Sequence, residues 1–308
     1  MTQGLDLIGD IHGHADALEA LLARLGYIER DGVFRHDAGR RVIFLGDFID
    51  GGSQNRRVVD IARSMVATGQ AQAILGNHEY NAICWHTPGP RDSAGWLRAH
   101  SDKNRAQHAA TLAEFAGDPE GVAEMIGWFR TLPLYLDFGD LRAVHACWHE
   151  PSLAAARAAL GEAAVMDDAF LVASSDDGSQ AHDVVETLLK GLEGELPDGV
   201  SFLDKYGHER HNARLRWWQS TAATLDELVL GPEALHAATA GRPADPSLLL
   251  GYPEGAPPVF FGHYWLTGTP ALQQANVACL DYSVARGGQL VAYRWDGEQR
   301  LAPGRFVW

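Results

Sequence analysis

Hydrophobic positions come in short runs, each closed by a glycine and a polar cluster. Leu5-Asp6-Leu7-Ile8 leads into Gly9-Asp10-Ile11-His12-Gly13. Val42-Ile43-Phe44-Leu45 leads into Gly46-Asp47-Phe48-Ile49-Asp50-Gly51-Gly52, and Ala71-Gln72-Ala73-Ile74-Leu75 into Gly76-Asn77-His78-Glu79. Short, mostly apolar runs of this kind read as buried parallel strands. Between them the period changes. Leucines at 18, 21, 22 and 25 mark one face of a helix over 15–25, and a second helix is expected over about 56–66. A third begins near 79. The alternation of strand and helix predicts an α/β protein with a parallel sheet and its ligand groups at the carboxyl edge. An unpaired buried carboxylate is costly, so Asp47, just past a central strand, should have a cation beside it.

Further along, residues 26–41 read as a turn-rich connection with a hairpin around Asp31-Gly32. Residues 87–105, rich in Pro, Gly and charge, read as a loop beside the site. Helices are expected over 105–116 and 119–130. A hairpin pairing 134–138 with 141–144 across Gly139-Asp140 delivers His145 at a strand end. From 151 to about 257, alanine-rich helical segments (153–160, 162–172) alternate with Ser/Asp/Gly loops, and a further helix is expected near 182–192. This stretch is expected to be a helical insertion covering the site, within a single domain over 1–308. The sheet resumes at Pro258-Val259-Phe260-Phe261, which ends in Gly262-His263. Runs at 277–281 and 289–295 predict two more strands, closer to antiparallel. There is no internal repeat or low-complexity tract.

Composition narrows the partners. Acidic residues outnumber Lys and Arg by 40 to 25, a formal net charge of −15. Nucleic-acid binding needs a basic footprint, so nucleic acid is not an expected partner. A phosphate site on such a surface must build its own positive potential from arginines or metals. Cys84, Cys147 and Cys279 are scattered, with no C-x-x-C, which suits a reducing cytoplasm. No basic-then-apolar segment opens the chain, and no apolar run reaches the roughly 18 residues of a membrane span. Neither export nor a membrane partner is expected.

The strand-end groups are Asp10, His12, Asp47, Asn77, His78, His145 and His263. Carboxylate, amide oxygen and imidazole suit manganese, iron or zinc. One ion needs only three or four protein ligands, so the set is sized for two ions sharing a carboxylate, about 3.5–4 Å apart. Singly, each group has a plainer explanation: Gly-Asp pairs are common turn chemistry, and a histidine after an apolar strand is often a satisfied, half-buried one. It is the ordered set, each member after an expected strand, that points to metal. His149, Glu150, His208 and His211 read as solvated loop residues outside the ligand set. Arg214 and Arg216 alternate with Leu215 ahead of Trp217-Trp218. They are either the exposed side of an edge strand or a phosphate-binding pair, and the tryptophans read as packing. Cys84 and Cys147 read as small buried residues.

These motifs resemble, in order, the G-D-x-H-G, G-D-x-x-D-R-G, G-N-H-E/D, H and G-H signatures of the calcineurin-like metallophosphoesterases, phosphoprotein-phosphatase type. Leu132-Pro133-Leu134, Val144-His145-Ala146, Arg214-Leu215-Arg216 and Phe261-Gly262-His263-Tyr264-Trp265 are similar to bacterial diadenosine tetraphosphate hydrolases. The resemblance implies a four-layer α/β/β/α sandwich and two divalent ions, manganese first, with iron or zinc as alternatives. It implies that Asp10 and His12 bind one ion, that Asp47 bridges, and that Asn77, His145 and His263 complete the other. A metal-bridging hydroxide would attack phosphorus, with His78 as general acid oriented by Asp50. The implied reaction is hydrolysis of a phosphomonoester or phosphoanhydride in a phosphorylated small molecule, nucleotide or phosphoprotein. The alternatives are a dinucleoside polyphosphate hydrolase, a phosphodiesterase, or a relative that binds metal and phosphate without turnover. One position departs from the family pattern: its arginine is Gly51 here. Arg56 or Arg57, or Arg214 or Arg216 from the insertion, are the expected replacements. Otherwise the glycine makes room for a bulkier substrate.

Overall fold

The computed structural model describes residues 4–90, 95–203 and 209–308. Part of the expected loop, 91–94, and the segment 204–208 with His208 lie outside the described residues.

In chain order the elements are β1 (Leu5–Ile8), α1 (Ala15–Leu25), β2 (Tyr27–Arg30), β3 (Val33–His36), β4 (Arg41–Phe44), α2 (Asn55–Ala67), β5 (Ala71–Ala73) and α3 (Asn77–His86). Then come α4 (Asp102–Gln107), α5 (Ala109–Glu114), α6 (Pro119–Phe129), β6 (Tyr135–Asp137), β7 (Arg142–Val144), α7 (Glu150–Leu160), α8 (Asp168–Ser174) and α9 (Gln180–Lys190). The next stretch holds β8 (Glu193–Glu195), β9 (Phe202–Leu203), β10 (Glu209–Arg210), β11 (Asn212–Leu215), α10 (Leu225–Leu228), β12 (Val229–Leu230) and α11 (Glu233–Thr239). The chain closes with β13 (Val259–Phe261), β14 (Val277–Cys279), β15 (Asp281–Tyr282), β16 (Gln289–Leu290), β17 (Ala292–Trp295) and β18 (Phe306–Val307).

Two compact units result, residues 1–190 with 257–308, and residues 191–256. The larger unit is the four-layer α/β/β/α sandwich. Its first sheet has the order β18-β17-β1-β4-β5, with β1, β4 and β5 parallel and β17 antiparallel to β1. Its second has the order β14-β13-β7-β6. Successive strand residues face opposite ways, and the burial follows. Leu5 and Leu7 of β1, Ile43 of β4, and Tyr293 and Trp295 of β17 share one core with Ala143, Phe260 and Ala278 of the second sheet. Each large apolar side chain buried there contributes about 1.5–3 kcal/mol. Leu7 faces Ile43 in the parallel ladder and Tyr293 in the antiparallel one, which fixes the register. Helix α2 packs on β5 and β3, and α1 packs on α2. On the second sheet's side, Ala146 N donates to Leu188 O of α9 at 2.9 Å, and α7 and α8 pack on α9.

Three expectations about the larger unit differ from the structure. The helix expected over 105–116 breaks at His108, between α4 and α5, where the ring is engaged by a carboxylate from another loop. The helix expected from 162 begins at Asp168, because Val165 first bridges to Pro133 and Asp167 caps the helix by accepting from Phe170 N at 2.7 Å. Strand β14 runs parallel to β13, not antiparallel. The long connection from 262 to 276 carries the chain back to the starting end, as a parallel pair requires.

The smaller unit begins at Gly191 rather than at 151, and it is not purely helical. It holds a three-stranded antiparallel sheet of order β12-β11-β8. Its own core joins Leu196, Ala213, Leu215, Leu225, Leu228 and Leu235. Strands of two to four residues, one of them Glu-Gly-Glu, carry too little alternation to be read from sequence. Among the described residues no helix is long and apolar enough to cross a membrane.

Candidate metal centre

The loops after β1 and β4 are locked together by backbone bonds. Ile11 N and His12 N both donate to Asp47 O, at 3.0 and 2.8 Å, and Gly13 N donates to Phe48 O at 2.7 Å. The buried Glu79 carboxylate accepts from Asp47 N at 2.7 Å, Phe48 N at 2.8 Å and Gly76 N at 3.0 Å, fixing the loop after β4 against the start of α3. Burial, with repulsion from Asp47, pushes the Glu79 pKa up to about 7. Two motif glycines are required by close approach. A Cβ on Gly76 would lie 2.3 Å from Asp47 Oδ1, and one on Gly262 would lie 1.9 Å from Asp10 Oδ1. His263 N donates to Asp10 Oδ2 at 2.9 Å, and His78 N donates to Asp47 Oδ1 at 3.0 Å.

The ligand atoms converge on Asp47. One group joins Asp47 with His12 and His78, and another joins Asp47 with His145 and His263. Within each, the atoms lie within 4.8 Å of one another. Asn77 Oδ1 is 3.1 Å from His145 Nε2, and Asp10 Oδ2 is 3.9 Å from His12 Nε2. All six expected ligands, Asp10, His12, Asp47, Asn77, His145 and His263, are buried.

The tautomers test whether metal fits. His145 Nδ1 donates to Leu45 O at 2.7 Å, and His12 Nδ1 donates to Ile49 O at 3.0 Å. A neutral ring held this way turns an Nε2 lone pair outward. His145 Nε2 then faces Asp47 Oδ1 at 3.4 Å, and His12 Nε2 faces Asp47 Oδ2 at 3.6 Å. Lone pairs aimed at carboxylate oxygens repel unless a cation stands between them. Backbone carbonyls holding Nδ1 are the usual support of a metal-binding histidine. His12 Nε2 and Asp10 Oδ1 are buried and make no hydrogen bond. Burial, with repulsion from Asp281 and Asp47, pushes the Asp10 carboxyl well up. Burial also opposes charge on Asp47, but His145, His78 and His12 outweigh it and hold that carboxyl well below the usual range. Burial opposes charge on His145, yet Asp47 and Asp10 push its pKa up to about 10. A cluster in which buried groups must take up protons is short of positive charge, and the donor set fits divalent ions.

Beside it, His78 Nδ1 meets Asp50 Oδ2 at 3.1 Å, with the His78 side chain 19% exposed. Burial opposes the His78 charge, but Asp47 and Asp50 push its pKa up to about 9. Sequence reasoning missed the partners of Asp50. His108 Nδ1 lies 2.8 Å from its Oδ1, and Thr111 Oγ1 donates to the same oxygen at 2.5 Å. Against the cost of burial, the hydrogen bonds from His108 and His78 hold the Asp50 carboxyl below its usual range. Asp281 was missed too. It is buried, and it accepts from Trp265 N at 2.6 Å and Ser283 N at 2.9 Å. A strand-end aspartate inside an expected strand gave no signal of its own.

Two of the expected replacements for the missing arginine, Arg56 and Arg57, are committed elsewhere. Arg56 pairs with Asp118 at 2.7 Å and lies over the Phe115 ring, and Arg57 pairs with Glu19 at 2.7 Å and Glu29 at 3.2 Å. Gly51 does not open a space. A Cβ there would lie 2.8 Å from His12 Cβ and 3.1 Å from Ala285 Cβ. Arg214 and Arg216 belong to the smaller unit. Ala213 and Leu215 are buried while Arg214 and Arg216 are half-buried, so the alternation is that of a sheet strand, and Arg216 Nη1 donates to Glu227 O at 2.9 Å. Trp217 and Trp218 are buried packing residues. The three cysteines are buried free thiols.

Known proteins are similar in sequence and in fold. The sequence profile of the calcineurin-like phosphoesterases matches residues 5–263. A bis(5'-nucleosyl)-tetraphosphatase of Bacillus subtilis (strain 168) is 37% identical over 145 residues, 46% of this chain and 56% of that protein. One from Oceanobacillus iheyensis is 38% identical over 74 residues, 24% of this chain and 30% of that protein. The chain thus spans about a third to about half the length of these curated relatives. Among solved structures, a protein serine/threonine phosphatase from Saccharomyces cerevisiae is similar in fold, with a TM-score of 0.50 at 14% identity, over 99% of this chain and 78% of that one.

Proposed function

The chain belongs to the calcineurin-like phosphoesterase family, and from that premise we propose that it is a metal-dependent hydrolase of P–O bonds in phosphomonoesters or phosphoanhydrides. Asp47 carries the reading, because a single carboxylate is shared by two groups of ligand atoms. Asp10, His12 and Asp47 would hold one divalent ion, and Asp47, Asn77, His145 and His263 would hold the other, with manganese the first expectation and iron or zinc the alternatives. When bound, the ions supply water activation and neutralise phosphate charge. The chain's own residues do the rest. Glu79 and the paired loops fix the ligand geometry. His78 holds a proton at its ring nitrogen for the leaving oxygen, and the Asp50 carboxylate on Nδ1 favours the protonated ring. Asp50 orients that ring, and His108 and Thr111 fix Asp50 in turn.

The relatives named as bis(5'-nucleosyl)-tetraphosphatases favour a dinucleoside polyphosphate as the substrate class. Arg214 and Arg216 of the smaller unit, which we propose as a cap, are candidates for binding its phosphates. Three buried free thiols support a reducing compartment, the cytoplasm, as the place of action. Product analysis with metal-loaded protein tests the proposal, using diadenosine tetraphosphate, p-nitrophenyl phosphate and its bis ester. Turnover of the anhydride or monoester is expected. Turnover of the bis ester alone would replace the reading with a diesterase, and no turnover of any ester would leave a metal- and phosphate-binding relative.

A further inference from the structure

Phosphate oxygens take hydrogen-bond donors as well as metals, and Gly51 has no side chain to supply one. The 284–286 turn stands where a side chain on Gly51 would go, since Ala285 Cβ is 3.1 Å from the position of its Cβ. The next residue along that turn is Arg286. Its guanidinium lies 3.9 Å over the Trp265 ring, and that ring lies 5.6 Å from the His12 ring, centroid to centroid. Arg286 is exposed, and among the described residues no carboxylate lies within ion-pair distance of it. Arg56 and Arg57, by contrast, are neutralised by Asp118, Glu19 and Glu29.

The presentation is rigid. Asp281 accepts from Trp265 N with one oxygen and from Ser283 N with the other, at 2.6 and 2.9 Å, so a single buried carboxylate sets both the loop and the turn. Ser283 Oγ adds a bond to Leu266 O at 3.0 Å, and Arg286 N closes the turn on Ser283 O at 2.8 Å. A guanidinium stacked on an aromatic ring keeps its edge donors free and loses little freedom on binding an anion. We propose that Arg286, stacked on Trp265, is the substrate-binding residue that grips a phosphate of the substrate beside His12, in place of a side chain at position 51. This rests on the phosphoesterase reading above.

The test pairs binding with kinetics. Inorganic phosphate is titrated calorimetrically into metal-loaded wild type, Arg286→Ala, Arg286→Lys and Arg57→Ala. KM and kcat are measured on p-nitrophenyl phosphate and diadenosine tetraphosphate, and Tm checks folding. Loss of one charge-assisted contact should weaken phosphate binding and raise KM about tenfold in Arg286→Ala, with kcat within about twofold. Lys should recover part of the loss, since it keeps the charge but not the planar fork. Arg57→Ala should match wild type. Unchanged phosphate binding and KM in Arg286→Ala would overturn the inference, as would an equal loss in Arg57→Ala or a wild type that binds no phosphate. A wild type inactive on every ester, whose phosphate binding still drops in Arg286→Ala, would sink the phosphoesterase reading and keep the anion site.

Discussion

Asp6 and Asp10 stand four residues apart, one within β1 and one just beyond it, and both are buried. Asp6 is surrounded by donors. Arg40 reaches both its oxygens at 3.0 Å, Arg294 Nε reaches Oδ1 at 2.9 Å, and Tyr27 donates to Oδ2 at 2.9 Å. Asp10 receives one backbone bond, from His263, and its Oδ1 makes none. Its neighbours include the carboxylates of Asp47 and Asp281. The difference separates two uses of a buried charge. Asp6 is complete within the protein and holds elements together. Asp10 is incomplete within the protein, and in the function proposed above a cation completes it. Burial alone does not mark a functional carboxylate; burial without donors does.

Variants can break this contrast, beginning with the largest expected effect. Asp10→Asn and Asp47→Ala should lose metal and reduce activity by about 10³-fold or more, while the metal-free proteins melt no lower than metal-free wild type. Metal analysis and calorimetry read both, and a lower metal-free Tm would place Asp10 with Asp6 as a structural residue. Asp6→Ala should do the reverse. It leaves two arginines facing a cavity and should cost about 3–5 kcal/mol of stability, measured by denaturant unfolding, with metal still bound by the folded fraction. His78→Ala should cut turnover about 100-fold with metal content near wild type; equal metal loss would make His78 a ligand. Arg214→Ala or Arg216→Ala should raise KM a few-fold, and unchanged kinetics in both would remove the smaller unit from substrate binding. The smallest effect concerns His86, 3.4 Å from His108. Burial, with His108 and His100 nearby, pushes its pKa down to about 4. Between 6.5 and 4 the unfolded chain binds this proton and the fold does not, so stability falls as pH drops through that window. His86→Asn should flatten the slope of Tm against pH there; an unchanged slope would acquit His86.

The candidate site was legible because Asp10, His12, Asp47, Asn77, His145 and His263 each follow a strand within four residues, where sequence order dictates place. Asp10, Asp47 and His263 needed only a strand and a glycine. The partners of Asp50 were not legible. His108 and Thr111 lie 58 and 61 residues along the chain, in what reads as an ordinary helix until the break at His108 is seen. Arg286 was hidden for a similar reason. Its neighbour Trp265 lies in the connection from 262 to 276 and its organiser Asp281 in β15, and nothing local links them. In the smaller unit, β8 and β11 are short and rich in glutamate and arginine, so the period-2 signal was confined to Ala213 and Leu215.

Among the described residues, eight non-glycine residues have positive φ, and six of them are His12, Asp47, Asp50, His263, Trp265 and Ser283. Left-handed backbone costs about 1–2 kcal/mol for a residue with a side chain, and glycine would relieve it. A chain released from selection for this chemistry would gain stability by drifting to glycine at these positions. A side chain kept at all six carries a backbone cost that glycine would not, and the proposed chemistry is what that cost would serve.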